Sequence, residues 1–140
     1  MNLPTPEAAE SAFYAAFEAR SLDAMMAVWS GDDGIACVHP LAAPLNGRAA
    51  VATGWHSMFE AAGQFRVQVE LAHEIHEAGQ VIRIVREYLI IGQEPEPRPP
   101  ILATNVYRRE ADGWRMVLHH ASPLHVGATP PARTPPVVLH

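Results

Sequence analysis

The chain has 140 residues, of which 49% are hydrophobic and 18% charged, and its formal net charge is −5 with neutral histidines. These values are typical of one globular domain that buries its own core, and a net negative chain without a basic stripe is a poor candidate for nucleic-acid binding. All basic residues are arginines, which excludes a Schiff-base lysine and a phosphate-loop lysine.

The N-terminal part of the chain predicts two helices and a short strand. Thr5 is suited to cap a helix that begins at Pro6, and apolar side chains then recur at helical spacing. Ser21 restarts a second, shorter helix. The segment SGDDG at 30–34 predicts a turn, and IACVH at 35–39 predicts a strand that Pro40 stops.

The rest of the chain predicts one more helix and then four strands. The third helix runs from about Arg48 to Ala62, and after Gly63 the apolar period changes to two. The predicted strands, separated by two turns and the proline-rich connection at 94–100, are 65–76, 81–91, 101–109 and 114–122. This order predicts an α+β fold, in which three helices cover a curved, mostly antiparallel sheet around a cavity.

We expect residues 1–122 to form a single domain and residues 123–140 to form a proline-rich tail without regular structure. The single cysteine, Cys37, excludes an internal disulfide. In its apolar run it is most simply a small buried residue, with a nucleophile as the alternative.

No pair of histidines has a supporting carboxylate at metal-binding spacing, so neither a metal nor a cofactor is expected. An acidic N-terminus without a signal pattern, and no run long enough to span a membrane, predict a cytoplasmic protein.

Four stretches carry a resemblance to a known group of proteins. They are FYAAFEARSLDAMMAVW at 13–29, His39-Pro40 with Gly47-Arg48 and Trp55, IRIVREYL at 82–89, and ATNVYRREADGWRMVLHHAS at 103–122. In this order they resemble the nuclear-transport-factor-2-like (NTF2-like) superfamily, and the chain is similar to its SnoaL-like and ketosteroid-isomerase-like domains and to the association domain of calmodulin-dependent kinase II. The resemblance implies an α+β cone with a deep pocket, and homodimers or larger rings formed through the outer face of the sheet.

Two positions depart from the pattern of that superfamily. His39 stands where the isomerases carry a carboxylate base, and Asn105 stands where many relatives direct an arginine into the pocket. His39 is the first candidate catalytic residue because an imidazole exchanges protons near neutral pH; a structural histidine is the alternative. His120 is the second candidate. Strand alternation implies that one of His119 and His120 faces inward without showing which; the match to the superfamily's His-x-Ser ending places His120 there, with a core histidine as the alternative.

Further side chains are expected to line the pocket. Asn105 offers both a donor and an acceptor to a ligand, and Arg83 or Arg86 could reach the interior. The aromatic members of the set are alternatively ordinary core residues. The expected ligand-binding residues are Tyr14, Trp29, Trp55, Phe59, Arg86, Asn105 and Tyr107.

Three functions are consistent with the sequence. The first is a pocket protein, expected to be a homodimer by the resemblance alone, that binds a small and largely apolar organic molecule. The second is a cofactor-free isomerase, cyclase or dehydratase in which His39 abstracts a proton and Asn105 or Tyr14 stabilises the oxyanion. The third is an oligomerisation module with no ligand, which predicts a large apolar interface.

Overall fold

The computed structural model describes residues 2–124, which form three helices and one six-stranded sheet. The helices are α1 (Pro6–Ala19), α2 (Leu22–Val28) and α3 (Arg48–Ala61). The strands are β1 (Ala36–Val38), β2 (Leu45–Asn46), β3 (Phe65–Glu77), β4 (Gln80–Ile91), β5 (Ile101–Glu110) and β6 (Gly113–Pro123). The predicted α+β order is confirmed, and the two-residue strand β2 is an addition, too short to show a period in the sequence.

Side-chain caps define where the first two helices begin. Thr5 accepts a 3.0 Å hydrogen bond from the Ala8 amide, and Ser21 accepts one of 3.2 Å from the Ala24 amide. Each cap satisfies a backbone donor that the first turn of a helix leaves free, and is worth about 1 kcal/mol. Between the two helices Arg20 adopts the left-handed conformation, with φ of 53°, so the chain turns sharply and α2 packs against α1.

The sheet has the strand order β2-β1-β6-β5-β4-β3. Only the β1–β6 pair is parallel among the described strands, so the predicted, mostly antiparallel sheet is confirmed. Helix α1 lies on one face, where it contacts β3, β5 and β6. On this inner face one row of residues crosses four neighbouring strands: Arg83, Asn105, His119 and Cys37.

A β-bulge in β6 determines which of two adjacent histidines faces the helices. Tyr107 pairs with Met116 and Val106 pairs with Leu118, so Val117 is an extra residue without a partner on β5. The extra residue reverses the alternation of the strand beyond it. The prediction that His120 points inward is therefore wrong: His119 is 2% exposed and His120 lies on the exposed side.

The edge strand β3 is more exposed than its alternating pattern predicted. Phe65 is buried, but Val69 and Leu71 are 38% and 45% exposed although they face α1. A second bulge falls between Leu71 and His73. The strand thus diverges from the helix and leaves an open groove beside it.

Gly54 in α3 allows a close approach near the cavity. A Cβ atom at this position would lie 2.3 Å from Leu45 Cδ1 and 3.6 Å from His39 Nε2. A glycine inside a helix costs about 1 kcal/mol relative to alanine. This cost is compensated by the packing of β2 and His39 directly against α3.

The predicted C-terminal tail lies mostly outside the described residues. Pro123 is the last residue of β6, and the Leu124 amide donates to the carbonyl of Pro100; residues 125–140 are not described. Within residues 2–124 no helix is both long and apolar enough to cross a membrane.

Candidate functional site

An apolar cavity of about 190 Å³ lies between the helices and the inner face of the sheet. Its walls come from α1, the segment after β1, α3 and the four long strands. The lining residues are Phe17, His39, Pro40, Trp55, Met58, Ala62, Phe65, Glu87, Leu89, Ile91, Ile101, His119 and Ala121. Among these residues, His39, Glu87 and His119 carry the titratable groups, and the others are apolar or aromatic.

Glu87 is a carboxyl group almost completely removed from water. Its residue is 3% exposed, and the Tyr14 hydroxyl donates a 2.6 Å hydrogen bond to Oε2. The pKa of Glu87 is raised to about 7: burial and the negative charge of Glu10 raise it, and the hydrogen bond from Tyr14 partly opposes them. Glu87 can therefore exchange a proton near neutral pH, as a general acid or base must.

His119 lies beside Glu87 in the cavity wall and is neutral at ordinary pH. The pKa of His119 is lowered to about 3, mainly by burial and also by the neighbouring His39 and His120. Its Nδ1 is 2.6 Å from Asn105 Oδ1, and its Nε2 is 4.0 Å from Glu87 Oε2. Because the imidazole is uncharged, its contact with Glu87 is not an ion pair.

A buried polar network behind the cavity holds these two groups. Asn105, which is fully buried, donates from Nδ2 to Glu10 Oε1 at 3.1 Å and to the Tyr14 hydroxyl at 3.0 Å. Tyr107 donates to the same Glu10 oxygen at 2.8 Å, and Arg83 Nε donates to the other at 2.8 Å. Burial raises the pKa of both tyrosines, so their hydroxyls stay protonated.

His39 also lines the cavity, where its ring packs against Trp55. Its ring meets the Trp55 ring edge to face with centroids 4.6 Å apart, and its Nε2 is 3.7 Å from Cys37 Sγ. Burial lowers the pKa of His39, so the imidazole is uncharged at neutral pH. Cys37 is fully buried as predicted, and burial raises the pKa of its thiol to about 12, which disfavours the nucleophile that the sequence left open.

The groove beside β3 lies on the other side of Tyr14. It measures about 470 Å³ and is open to solvent. Its lining combines charged and apolar side chains: Glu7, Glu10, Ser11, Tyr14, Val67, Val69, Leu71 and Arg83. Arg83 is held there by Glu10, by Glu74 and, at 3.5 Å, by Glu7.

The residues expected at the pocket divide into three groups. His39 and Trp55 line the cavity, and Tyr14, Asn105 and Tyr107 belong to the polar network behind it. The other four lie elsewhere: Trp29 is a core residue bridged to Met116, Phe59 faces a surface depression near Arg20, Arg86 pairs with Glu70 on the outer face, and His120 is exposed.

Sequence reasoning did not select Glu10 or Glu87, although both left a signal, and it placed His119 on the outer face. Glu87 shares a strand face with Val81 and Val85, so a charged side chain interrupts an apolar face. Glu10 shares a helix face with Phe13, Tyr14 and Phe17. A charged residue on an apolar face indicates a buried partner, whereas His119 could not be found because the bulge at Val117 leaves no mark in the pattern.

Two further polar features bear on what could bind. The indole Nε1 groups of Trp29 and Trp55 are buried and without a hydrogen-bond partner within residues 2–124. Of these two residues, Trp55 also lines the cavity. In the same part of the chain no three His, Cys, Asp or Glu side chains are grouped so that they could hold a metal ion.

Comparison with protein families identifies one family for this chain. The model of the SnoaL-like domain family matches residues 7–126. No curated protein is significantly similar to the chain. Among solved structures, one from Thiobacillus denitrificans ATCC 25259, named as a candidate calcium/calmodulin-dependent protein kinase type II association domain, is 76% identical, with a TM-score of 0.88 over 89% of this chain and 99% of that one.

More distant structures share the fold. A candidate dehydratase of the NTF2-like family from Streptomyces avermitilis is 27% identical, with a TM-score of 0.72 over 84% of this chain and 91% of that one. A ketosteroid isomerase-like protein from Erwinia carotovora atroseptica SCRI1043 is 18% identical, with a TM-score of 0.66 over 85% and 93% of the two chains. At 18% identity the likeness concerns the fold alone.

Proposed function

We propose that this chain, which belongs to the SnoaL-like domain family and has the NTF2-like fold, binds one small, neutral, largely apolar organic molecule in the cavity beside Glu87 and His119. The observation that carries the proposal is the composition of that cavity, in which aromatic and aliphatic walls surround a few buried polar groups. This combination is what small-molecule sites need: apolar walls for affinity and placed polar groups for orientation.

The size of the cavity limits the ligand. A dry apolar cavity of about 150 Å³ holds benzene. At about 190 Å³, the space here suits a one-ring molecule or a small fused ring with few substituents. Phe17, Trp55 and Phe65 provide aromatic surfaces that favour a flat ligand.

The charges around the cavity favour a neutral ligand. None of the lining residues is an Arg, and Arg83, the nearest arginine in the inner row, is held by three carboxylates on the groove side. An anion would meet Glu87 without a compensating cation in an apolar site, which is costly. Asn105, at the position where the family resemblance implies an arginine, fits this neutrality.

Calorimetric titration with phenol and with benzoate tests the proposal. We expect phenol to bind and benzoate to bind at least about tenfold more weakly, because benzoate adds a charge to the same ring. Ala121→Phe should abolish phenol binding by filling the cavity, and the same change at the exposed turn residue Ala78 is the matched control. Equal binding of phenol to the Ala121→Phe and unmodified proteins would refute the site.

A second function, cofactor-independent acid–base catalysis, is favoured by Glu87. Its carboxyl group has a pKa of about 7, lines an apolar cavity and lies 4.0 Å from a neutral imidazole. Glu87, rather than His39, is then the base: its carboxylate takes a proton from the carbon next to a ligand carbonyl, and the electron pair moves to the oxygen to form an enolate. Trp55 lines the same cavity and has an unpartnered indole N–H, a donor of the kind that such an oxygen needs.

Deuterium exchange into cyclohexanone tests this second function. In D₂O the protein should accelerate exchange at the positions next to the carbonyl, and Glu87→Gln should remove the acceleration. The matched control is Glu70→Gln, which makes the same change at an exposed position of β3 and preserves the cavity. Acceleration that persists in Glu87→Gln would assign the proton transfer to another group, with His39 the first to examine.

We also propose that two copies associate through the outer face of the sheet. No helix among the described residues covers this face, and it carries half-exposed apolar side chains, among them Ile75, Ile82, Ile84, Leu102, Val106 and Leu118. Apolar patches of this kind mark interfaces. The name of the relative from Thiobacillus denitrificans, an association domain, supports assembly as a role of this chain.

A further inference from the structure

The carboxylate of Glu10 accepts hydrogen bonds on both of its oxygens. Arg83 Nε donates to Oε2 at 2.8 Å, while Tyr107 and Asn105 donate to Oε1 at 2.8 and 3.1 Å. The residue is 6% exposed, so water does not replace these partners readily. An ionised carboxylate only accepts, so every group that faces Glu10 has to be a donor.

This requirement orients the amide of Asn105. The amide nitrogen must face Glu10, since the reverse orientation would bring two acceptor oxygens together. Its second hydrogen goes to the Tyr14 hydroxyl at 3.0 Å, which leaves that hydroxyl free to donate to Glu87. Asn105 Oδ1 is then directed to His119 Nδ1, at 2.6 Å.

The oriented amide in turn selects the tautomer of His119. An amide oxygen can only accept, so Nδ1 must carry the hydrogen at this contact. A neutral imidazole has one N–H, so Nε2 carries a lone pair. His119 lines the cavity, and its Nε2 lies 4.0 Å from Glu87 Oε2, which lines the cavity as well.

We propose that Glu10 is a positioning residue that fixes the His119 tautomer through Asn105, although Glu10 lines the open groove and not the cavity. The cavity then presents Nε2 of His119 as an acceptor and selects ligands with an N–H or O–H donor. This ligand class rests on the proposed binding function; the tautomer does not. Glu10 on α1 thus fixes the orientation of the Asn105 amide, and this amide fixes which nitrogen of His119 carries the hydrogen. We call these three residues the relay.

Glu10→Gln tests the relay because glutamine keeps the shape and has only one acceptor oxygen. Arg83 keeps its hydrogen bond to the oxygen of the introduced glutamine, because hydrogen bonds from charged donors are the stronger ones. The new amide nitrogen then faces Asn105, which has to turn over and present its own nitrogen to His119. The hydrogen of His119 moves to Nε2, and this nitrogen changes from an acceptor into a donor.

Proton–nitrogen correlation spectra of the histidine side chains distinguish the two tautomers. In the unmodified, ligand-free protein we expect the Nδ1–H form of His119, assigned by the signal that His119→Asn removes. Glu10→Gln should shift the population to the Nε2–H form. Glu7→Gln is the matched control, because Glu7 also lines the groove and pairs with Arg83 but does not contact Asn105. The Nε2–H form in the unmodified protein, or an unchanged tautomer in Glu10→Gln, would overturn the relay.

Indole and benzofuran measure the consequence for the ligand. They have nearly the same shape, but indole carries an N–H donor and benzofuran does not. The preference for indole should fall about tenfold in Glu10→Gln and persist in Glu7→Gln, as expected for the loss of one hydrogen bond. Equal preference in all three proteins would overturn the ligand class. Failure of both probes to bind the unmodified protein would instead refute the binding function, while the tautomer result would stand.

Discussion

Tyr14 lines the open groove, Glu87 lines the apolar cavity, and the hydroxyl of Tyr14 donates a 2.6 Å hydrogen bond to the carboxyl group of Glu87. One hydrogen bond therefore connects the two spaces on either side of Tyr14. The titratable carboxyl group in the cavity wall is thus held by a hydroxyl that belongs to the groove.

Glu87→Gln should change how stability depends on pH. The pKa of Glu87 is about 7 in the folded chain and near 4.5 when exposed. Between these values the folded state holds a proton that the unfolded state has released, so the free energy of unfolding falls as pH rises. Relative to the variant, the unmodified protein should lose up to about 3 kcal/mol across this window. Urea unfolding at a series of pH values measures the difference, and parallel curves would contradict it.

His119→Asn should remove a dependence of the opposite sign. The pKa of His119 falls from 6.5 to about 3 on folding, so between these values the unfolded state binds a proton that the folded state does not. The unmodified protein should therefore lose up to about 5 kcal/mol as pH falls through this window. Asparagine keeps a donor for Asn105 and does not titrate. The same change at the exposed His120 should leave the acid dependence as it is, and a similar effect of both variants would contradict the assignment.

Tyr14→Phe should raise the pKa of Glu87 above about 7, since the hydrogen bond from Tyr14 lowers that pKa. The free energy of unfolding should fall by about 1–3 kcal/mol, because a buried acceptor loses its donor. Carbon NMR titration of the Glu87 carboxyl group measures the pKa. Tyr88→Phe is the control, since the Tyr88 hydroxyl makes only an exposed 3.5 Å contact with Glu70. If the pKa of Glu87 is unchanged in Tyr14→Phe, the 2.6 Å contact is not maintained in solution.

Ile84→Glu should dissociate the proposed dimer. The side chain lies on the outer face of β4 between two neighbouring strands, so a carboxylate there would be buried between the copies without a partner. Light scattering after size exclusion should show a monomer with unchanged helix and strand content by circular dichroism. Gln68→Glu, at an exposed position of the edge strand, should remain dimeric, and a dimeric Ile84→Glu would refute this interface.

The fold could be predicted from the sequence because its signals are local. Thr5 and Ser21 are good helix caps, Gly63 and Pro40 end elements, and the change of apolar period from helical to two separates α3 from the four long strands. β2 could not be predicted, because two residues carry no period. The placement of Val69 and Leu71 in an open groove could not be predicted either, since the alternation of a strand does not tell whether its apolar face is covered.

The site was predicted only in part because its chemistry depends on contacts between distant residues. His39 and Trp55 lie at the cavity as the family resemblance implied, and Asn105 and Tyr107 share the predicted inner face. The role of Asn105 differs from the expected one: its amide contacts Glu10, Tyr14 and His119 and does not line the cavity. Residues 10, 87 and 119 come together only through tertiary packing, which no spacing along the chain reveals.

The bulge at Val117 gives strand β6 a place where its length can change without changing which face its later side chains occupy. Deleting Val117 would restore strict alternation between Met116 and His119, so His119 would still face the helices and His120 the outer side. Strict alternation with every residue kept would instead turn His120 inward, which is the arrangement that the sequence pattern predicts. Related chains that lack the extra residue would be expected to keep their inward histidine opposite the residue equivalent to Asn105, so alignments across β6 should be made by strand face and not by letter.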